Sequence, residues 1–187
     1  MNALISAIFP RAKALILAPG PTWTIIAGEA HDLQRLMLSW VLPLAAIPPV
    51  AQFLGGLLFG RVPLGRGLSL AIGTYVFEIV MVLAIGWIAA WLAPRFGGEN
   101  RPERGWAWIA YAFTPSWVAG VLWLIPAIGP LQILASLYGL YVAYLGVVPM
   151  LRVRPEQTVM FMVVLVVAGI VAGFALGVVL YTLGLAR

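Results

Sequence analysis

The stretch Thr158–Leu183, "TVMFMVVLVVAGIVAGFALGVVLYTL", contains no charged side chain and consists almost entirely of apolar residues. An α-helix needs about 20 such residues to cross the ~30 Å hydrocarbon core of a bilayer. A helix that is hydrophobic on every face is either buried in a large core or spans a membrane. We therefore predict that this stretch is a transmembrane helix.

The composition of the whole chain extends this prediction to four earlier segments. The chain has 187 residues, of which 63% are hydrophobic and 9% are charged, whereas about 25% are charged in a soluble domain. Its mean hydropathy is +1.04. The predicted spans cover about residues 36–60, 68–93, 106–125, 131–151 and 158–183. We predict an all-α integral membrane protein, with a five-helix transmembrane domain over residues 36–187.

Residues 1–35 have a different pattern, because apolar and polar side chains alternate there. This pattern is amphipathic, and Pro19 and Pro21 would divide the segment into one or two short helices. We predict a cytoplasmic segment that lies in the headgroup layer. The alternative is a frayed tail.

Lysine and arginine are distributed unequally between the two predicted sides. One side carries Arg11, Lys13, Arg35, Arg95, Arg101, Arg104, Arg152 and Arg154, and the other carries Arg61, Arg66 and Arg187. The positive-inside rule places the N-terminus in the cytoplasm and the C-terminus outside. Since the basic residues lie in loops between apolar runs, the net charge of +5 indicates membrane lipids as partners and not nucleic acid.

Small residues recur every four positions in two of the predicted spans. Gly169, Gly173 and Gly177 form one strip, and Gly139 lies in a second strip with neighbouring alanines. Such strips let two helix backbones approach closely. We favour packing within one chain, and the alternative is a seam between two copies in a homo-oligomer.

Glu78 is the only acidic residue near the middle of a predicted span. A charged carboxylate at the bilayer centre costs about 3 kcal/mol, so the group is either protonated or bonded to polar neighbours. The candidate partners on other spans are Gln52, Thr114, Ser116, Tyr138 and Tyr141. The functional interpretation is an ion or proton site, and the structural one is a tether between helices.

The residue counts argue against an enzyme. His31 is the only histidine and Asp32 the only aspartate, and the chain has no cysteine. An intramembrane Ser–His dyad and an aspartyl pair therefore lack their components. The neighbouring Glu29, His31 and Asp32 fit a solvated face better than a metal site. We predict no catalytic residue, no metal site and no cofactor.

Five blocks of sequence, in order, resemble the bacterial branch of the Yip-domain family. They are "ILAPGPTWTIIAGE" (16–29), "VLPLAAIPPVAQFLG" (41–55), "LAPRFGGEN" (92–100), "AYAFTPSWVAGVLWLIPAIG" (110–129) and "LYGLYVAYLGVVPMLRVRPEQ" (137–157). The resemblance implies five membrane helices in a bacterial inner membrane, with a cytoplasmic N-terminus. Eukaryotic members are trafficking and membrane-shaping factors that bind small GTPases, and they usually carry an acidic Asp-Leu-Tyr-Gly-Pro segment before the first span. Residues 29–36 read "EAHDLQRL" instead, so the resemblance does not extend to GTPase binding.

Two functional hypotheses follow. The first is a non-enzymatic membrane protein that organises membrane or an unidentified membrane or cytoplasmic protein partner. The second is a small channel or transporter that uses Glu78.

Overall fold

The computed structural model describes residues 2–183, with side chains from residue 8 onward. Within this range the chain forms seven helices. They are α1 (Asn2–Leu17), α2 (Pro19–Ala27), α3 (Leu33–Leu58), α4 (Leu64–Phe96), α5 (Pro102–Leu124), α6 (Gly129–Leu151) and α7 (Pro155–Thr182). Helices α3 to α7 are long and apolar enough to cross a membrane, which confirms the predicted all-α membrane bundle. Met1 and residues 184–187, which include the Arg187 of the charge count, lie outside the described residues.

The helices extend beyond the apolar runs that predicted them. Helix α3 begins at Leu33, where the Asp32 side chain accepts a hydrogen bond from the backbone N–H of Arg35 at 2.8 Å. Helix α5 begins at Pro102, and proline is well suited to a first helical turn. Hydropathy marks only the part of a helix that suits lipid, so polar residues that cap or start a helix were left out of the predicted spans.

Proline interrupts two of the spanning helices, α3 and α5, and the break in α5 is at Phe113, just before Pro115. In α3 the regular helix breaks at Ala46, just before Pro48 and Pro49. The break leaves the carbonyl of Leu42 available, and the Tyr75 hydroxyl of α4 donates to it at 3.1 Å. A backbone carbonyl freed in lipid needs such a partner, so the kink also fixes α4 against α3.

Helices α1 and α2 form an N-terminal hairpin that packs into the bundle. Its open end is joined by Arg11 and Glu29, and its tip is at Ala18. Near the tip, the Tyr138 hydroxyl of α6 donates to the Ile16 carbonyl at 2.7 Å. At 1.5 Å per residue, Tyr138 lies roughly 20 Å along α6 from Leu151. The hairpin therefore runs along more than half of a membrane-spanning helix.

The packing of the hairpin excludes the alternative of a frayed tail, and the expected position in the headgroup layer stays a prediction. Trp23 is fully buried, and its indole N–H donates to the Val142 carbonyl of α6 at 2.8 Å. The indole of Trp108 donates to the next carbonyl, that of Ala143, at 2.9 Å. Gly146 leaves room for both rings. An amphipathic pattern predicts one apolar face, but it does not distinguish lipid from a protein groove built of small residues.

The closest approach between α4 and α5 was not predicted. A Cβ atom at Gly105 would overlap the Gly86 carbonyl, and one at Gly86 would meet the backbone of Trp106. The Trp106 indole donates to the Leu83 carbonyl at 3.0 Å. No periodic pattern in the sequence predicts this contact, because Gly86 and Gly105 lie on different helices and form no strip.

Candidate functional site

The charged loops meet at one end of the bundle, which we call the basic end and define as residues 29–35, 94–105 and 152–157. Glu99 links two of these segments, because its carboxylate binds Arg101 at 2.9 Å and Arg152 at 2.7 Å. The Glu99 backbone N–H also donates to the Leu151 carbonyl at 3.0 Å. The grouping of basic segments on one side, predicted from charge alone, is thus present in the geometry of the bundle.

A cavity of about 680 Å³ opens at the basic end, between the N-terminal hairpin and helices α3 and α5. Its polar wall comprises Arg11, Glu29, His31, Asp32, Arg35 and Tyr111. This volume is within the range of about 300–1,000 Å³ that is usual for ligand sites. The cavity is therefore the best-formed candidate for a binding site among the described residues.

One side of the cavity is held together by an ion pair. The Arg11 guanidinium makes two hydrogen bonds to the Glu29 carboxylate, one of them at 2.7 Å from Nη1 to Oε2. Nη1 also donates to the Tyr111 hydroxyl at 3.1 Å. The bond to Glu29 raises the pKa of Arg11. These two charges neutralise each other and close the open end of the hairpin.

His31 lies beside this ion pair and is half-buried. Burial lowers its pKa, and the positive charge of Arg104 lowers it further, while the Glu29 carboxylate opposes the change. The neutral imidazole is thus the favoured form near neutral pH. Within residues 8–183 its Nε2 atom is buried without a hydrogen-bond partner.

Asp32 and Arg35 carry the remaining charges of the cavity wall. The three ion pairs among the described side chains involve neither residue. Asp32 spends one oxygen on capping α3, and Arg35 is exposed. The floor below them is aromatic, with the Trp40 and Tyr111 ring centroids 4.9 Å apart. One acid and one base are therefore available to a ligand over an apolar floor.

The polar residues predicted to surround Glu78 do not meet. The Glu78 carboxylate of α4 accepts a hydrogen bond from the Trp117 indole of α5 at 2.9 Å. Thr114 accepts from the Trp40 indole at 3.3 Å, and Gln52 is exposed. The arrangement around Glu78 joins two helices.

The other two predicted members of that site lie elsewhere. The Ser116 hydroxyl is hydrogen-bonded to the Ser136 hydroxyl at 2.9 Å, and the Ser116 carbonyl accepts a hydrogen bond from the Gln132 side-chain amide. Tyr138 bonds to the hairpin, and its ring lies 5.8 Å from that of Tyr141. Thr114, Ser116 and Tyr138 therefore each have a hydrogen-bond partner other than Glu78.

The glycine strips contact neighbours within the chain to different degrees. A Cβ at Gly139 would lie 3.2 Å from the Ala112 carbonyl of α5. Cβ atoms at Gly169 and Gly173 would be at ordinary contact distance from α4 side chains, whereas Gly177 has no atom within 4 Å. The strip on α7 thus faces α4 over part of its length.

Sequence reasoning missed the cavity and the role of the buried tryptophans. The sequence places Trp108 near a span end, where an indole is expected at the interface, but this side chain is fully buried. Trp87 and Trp91 do remain exposed and stacked, with the Arg95 guanidinium 3.6 Å from the Trp91 ring. The cluster of charges in residues 29–35 is the sequence feature that marks the cavity. Such a cluster by itself fits a solvated face equally well.

The fold and the charged end together define a multi-pass α-helical membrane protein with five candidate spans and a packed N-terminal hairpin. The Yip1 domain model matches residues 13–181. The chain belongs to the Yip1 domain family. No curated protein and no solved structure matches the sequence significantly.

Proposed function

We propose that this protein is a non-enzymatic organiser of the membrane, and that the N-terminal hairpin is the element that acts on lipid. The observation that supports this proposal is that the hairpin packs along the bundle from its charged open end at the basic end as far as Tyr138 of α6. A helix about 10 Å across occupies roughly 80 Å² of a leaflet, so two helices add roughly 160 Å² to one leaflet. An added area in one leaflet favours curvature that is convex on that side.

The outer surface of the hairpin suits the interior of a leaflet. Phe9, Leu17 and Ile25 are exposed, and the exposed Lys13 lies on the same face of α1 as Phe9 and Leu17. The charged Arg11 and Glu29 are paired at the open end. A largely apolar face with a lysine whose long side chain extends to the headgroups is typical of helices that insert into a single leaflet. Lipids are therefore the first partners that we propose.

We further propose that the basic end faces the cytoplasm of a bacterial cell, with the N-terminus inside and the C-terminus outside. The excess of arginine in residues 94–105 and 152–157 supports this orientation through the positive-inside rule. Reporter fusions in the 94–105 loop and after residue 187 test it. Two reporters active on the same side would refute the orientation.

The experiment for the membrane role measures how the full chain distributes between flat and curved bilayers. The double variant Leu17→Gln/Ile25→Gln makes the lipid-facing surface of the hairpin polar and leaves the buried Trp23 unchanged. Its matched control is Leu17→Ile/Ile25→Leu, which conserves volume and polarity. We expect the parent and the control to enrich on curved membrane and the polar variant to distribute evenly. Equal distribution of all three proteins would refute the proposal.

The geometry gives less support to a channel or transporter. Glu78 is hydrogen-bonded to Trp117, whereas Thr114 is bonded to Trp40 and Tyr138 to the Ile16 carbonyl. In proteoliposomes we expect no flux that depends on Glu78, so Glu78→Gln should behave as the parent. Flux through the parent that is lost in Glu78→Gln would restore that hypothesis.

A further inference from the structure

We propose that the cavity at the basic end binds one phospholipid with a zwitterionic headgroup that carries a primary ammonium. In this arrangement Arg35 binds the phosphate and Asp32 binds the ammonium. The inference deepens the proposed function and rests on its assumption that the basic end lies in the membrane interface.

The balance of charge in the wall identifies the headgroup. Arg11 and Glu29 neutralise each other, which leaves Arg35 and Asp32 as one base and one acid three residues apart at the start of α3. The Asp32 carboxylate accepts a hydrogen bond from the backbone N–H of Arg35, but neither charged side chain forms an ion pair with a described residue. A purely anionic headgroup would be attracted by Arg35 but repelled by Asp32. A headgroup of both signs satisfies both residues.

A second, smaller cavity supports a lipid ligand over a soluble phosphate ester. This groove, of about 360 Å³, shares Asp32, Arg35 and Ser39 with the main cavity. Its other lining residues are Gln34 and Leu38, and Leu38 is 59% exposed. A headgroup bound at Arg35 would therefore place the start of an acyl chain beside Leu38.

The aromatic floor favours a primary ammonium over a quaternary one. A quaternary ammonium is normally bound by the open faces of aromatic rings. Here the Arg11 guanidinium already lies 5.7 Å from the Tyr111 ring centroid, and Trp40 is packed against that ring and is only 4% exposed. Asp32 is then the remaining group for the ammonium, and a carboxylate gains most from an ammonium that donates hydrogen bonds.

The experiment measures lipid binding to the delipidated full chain by native mass spectrometry. The probes are phosphatidylethanolamine, phosphatidylcholine and phosphatidylglycerol with identical acyl chains, together with free phosphoethanolamine. The test variants are Asp32→Asn, which keeps a good helix cap and removes the charge, and Arg35→Gln. The matched controls are Glu156→Gln and Arg66→Gln, because both parent side chains are exposed and lie outside the cavity.

The two variants should have different effects. We expect the parent to bind phosphatidylethanolamine about tenfold more tightly than the other two lipids, as one additional charge-assisted hydrogen bond would give. Arg35→Gln should weaken all three lipids about tenfold. Asp32→Asn should weaken phosphatidylethanolamine alone and strengthen phosphatidylglycerol. The controls should match the parent.

Three results would overturn the inference. They are a parent preference for phosphatidylglycerol, an unchanged affinity for phosphatidylethanolamine in Asp32→Asn, and binding of free phosphoethanolamine as tight as that of the lipid. The Leu17→Gln/Ile25→Gln variant separates this inference from the proposed function, because it alters the lipid-facing surface of the hairpin and not the cavity. Loss of curvature preference with lipid binding retained supports both. Lipid binding without any curvature preference in the parent rejects only the membrane role.

Discussion

The packing of the N-terminal hairpin against α6 can be tested by adding one methyl group at Gly146. A Cβ at Gly146 would lie 2.6 Å from the Trp23 ring and 2.8 Å from the Trp108 ring. Neither ring can turn away without losing the hydrogen bond from its indole to α6. Overpacking of this kind costs about 1–3 kcal/mol. Gly146→Ala should therefore lower the free energy of hairpin packing by that amount. The higher helix propensity of alanine offsets part of this loss.

The matched control is Gly177→Ala on α7, where an added Cβ meets no atom within 4 Å. Both variants gain about 1 kcal/mol of helix propensity, so the difference between them isolates the packing cost. At 1.4 kcal/mol per factor of ten, this difference corresponds to roughly a 5- to 150-fold change in the population of the opened hairpin.

The assay uses the absence of native cysteine. A cysteine introduced at Ala12, which is 7% exposed, reports hairpin opening through its rate of maleimide labelling. A cysteine at the fully buried Ala107 reports unfolding of the bundle. We expect Gly146→Ala to accelerate labelling at position 12 relative to Gly177→Ala and to leave position 107 slow. Equal rates of maleimide labelling at position 12 in the two variants would refute the described packing of the hairpin against α6.

Three other predictions concern different parts of the molecule. Burial and the charge of Arg104 lower the pKa of His31, so the fold stabilises its neutral form. The stability of the protein should therefore fall as the pH drops through 6.5. His31→Gln should flatten this part of the plot of melting temperature against pH. Trp117→Phe leaves the Glu78 carboxylate without its donor and should cost about 1–3 kcal/mol, whereas Glu78→Gln keeps an acceptor for the indole; equal thermal shifts for the two variants would contradict the tether. Deletion of residues 1–30 should lower the melting temperature of the spans, because it uncovers the Tyr111 ring of α5 and leaves the Val142 carbonyl of α6 without the Trp23 donor; an unchanged melting curve would show that the hairpin does not support the bundle.

The fold was predictable because lipid imposes a simple rule on composition. A run such as Thr158–Leu183 leaves few alternatives to a spanning helix, and the kinks at Pro48 and Pro115 follow from the missing backbone donor. The candidate site was not predictable to the same degree. Tryptophan next to a span end usually indicates an interface, and only three-dimensional placement shows that Trp23 and Trp108 instead donate to α6. Likewise, the sequence identified Glu78 as a carboxylate that needs a polar partner but could not identify Trp117 as that partner.

The blocks of sequence that carry the family resemblance contain much of the packing machinery. The block 16–29 includes the hairpin tip and Trp23, the block 110–129 includes Trp117, and the block 137–157 includes Gly146. Each of these residues fixes one helix against another, and none contributes a side chain to the polar wall of the cavity. Membership of the family therefore describes how the bundle is assembled, because a bundle in lipid depends on close contacts and satisfied polar groups.

The residues that we propose to bind a ligand lie between those blocks. Asp32 and Arg35 belong to the short segment that joins the hairpin to α3, where packing makes few demands on side-chain type because the backbone is near the exposed basic end. A charge can be changed there without opening a gap in the bundle. The proposed recognition of the headgroup therefore depends on two charged side chains that do not pack one helix against another.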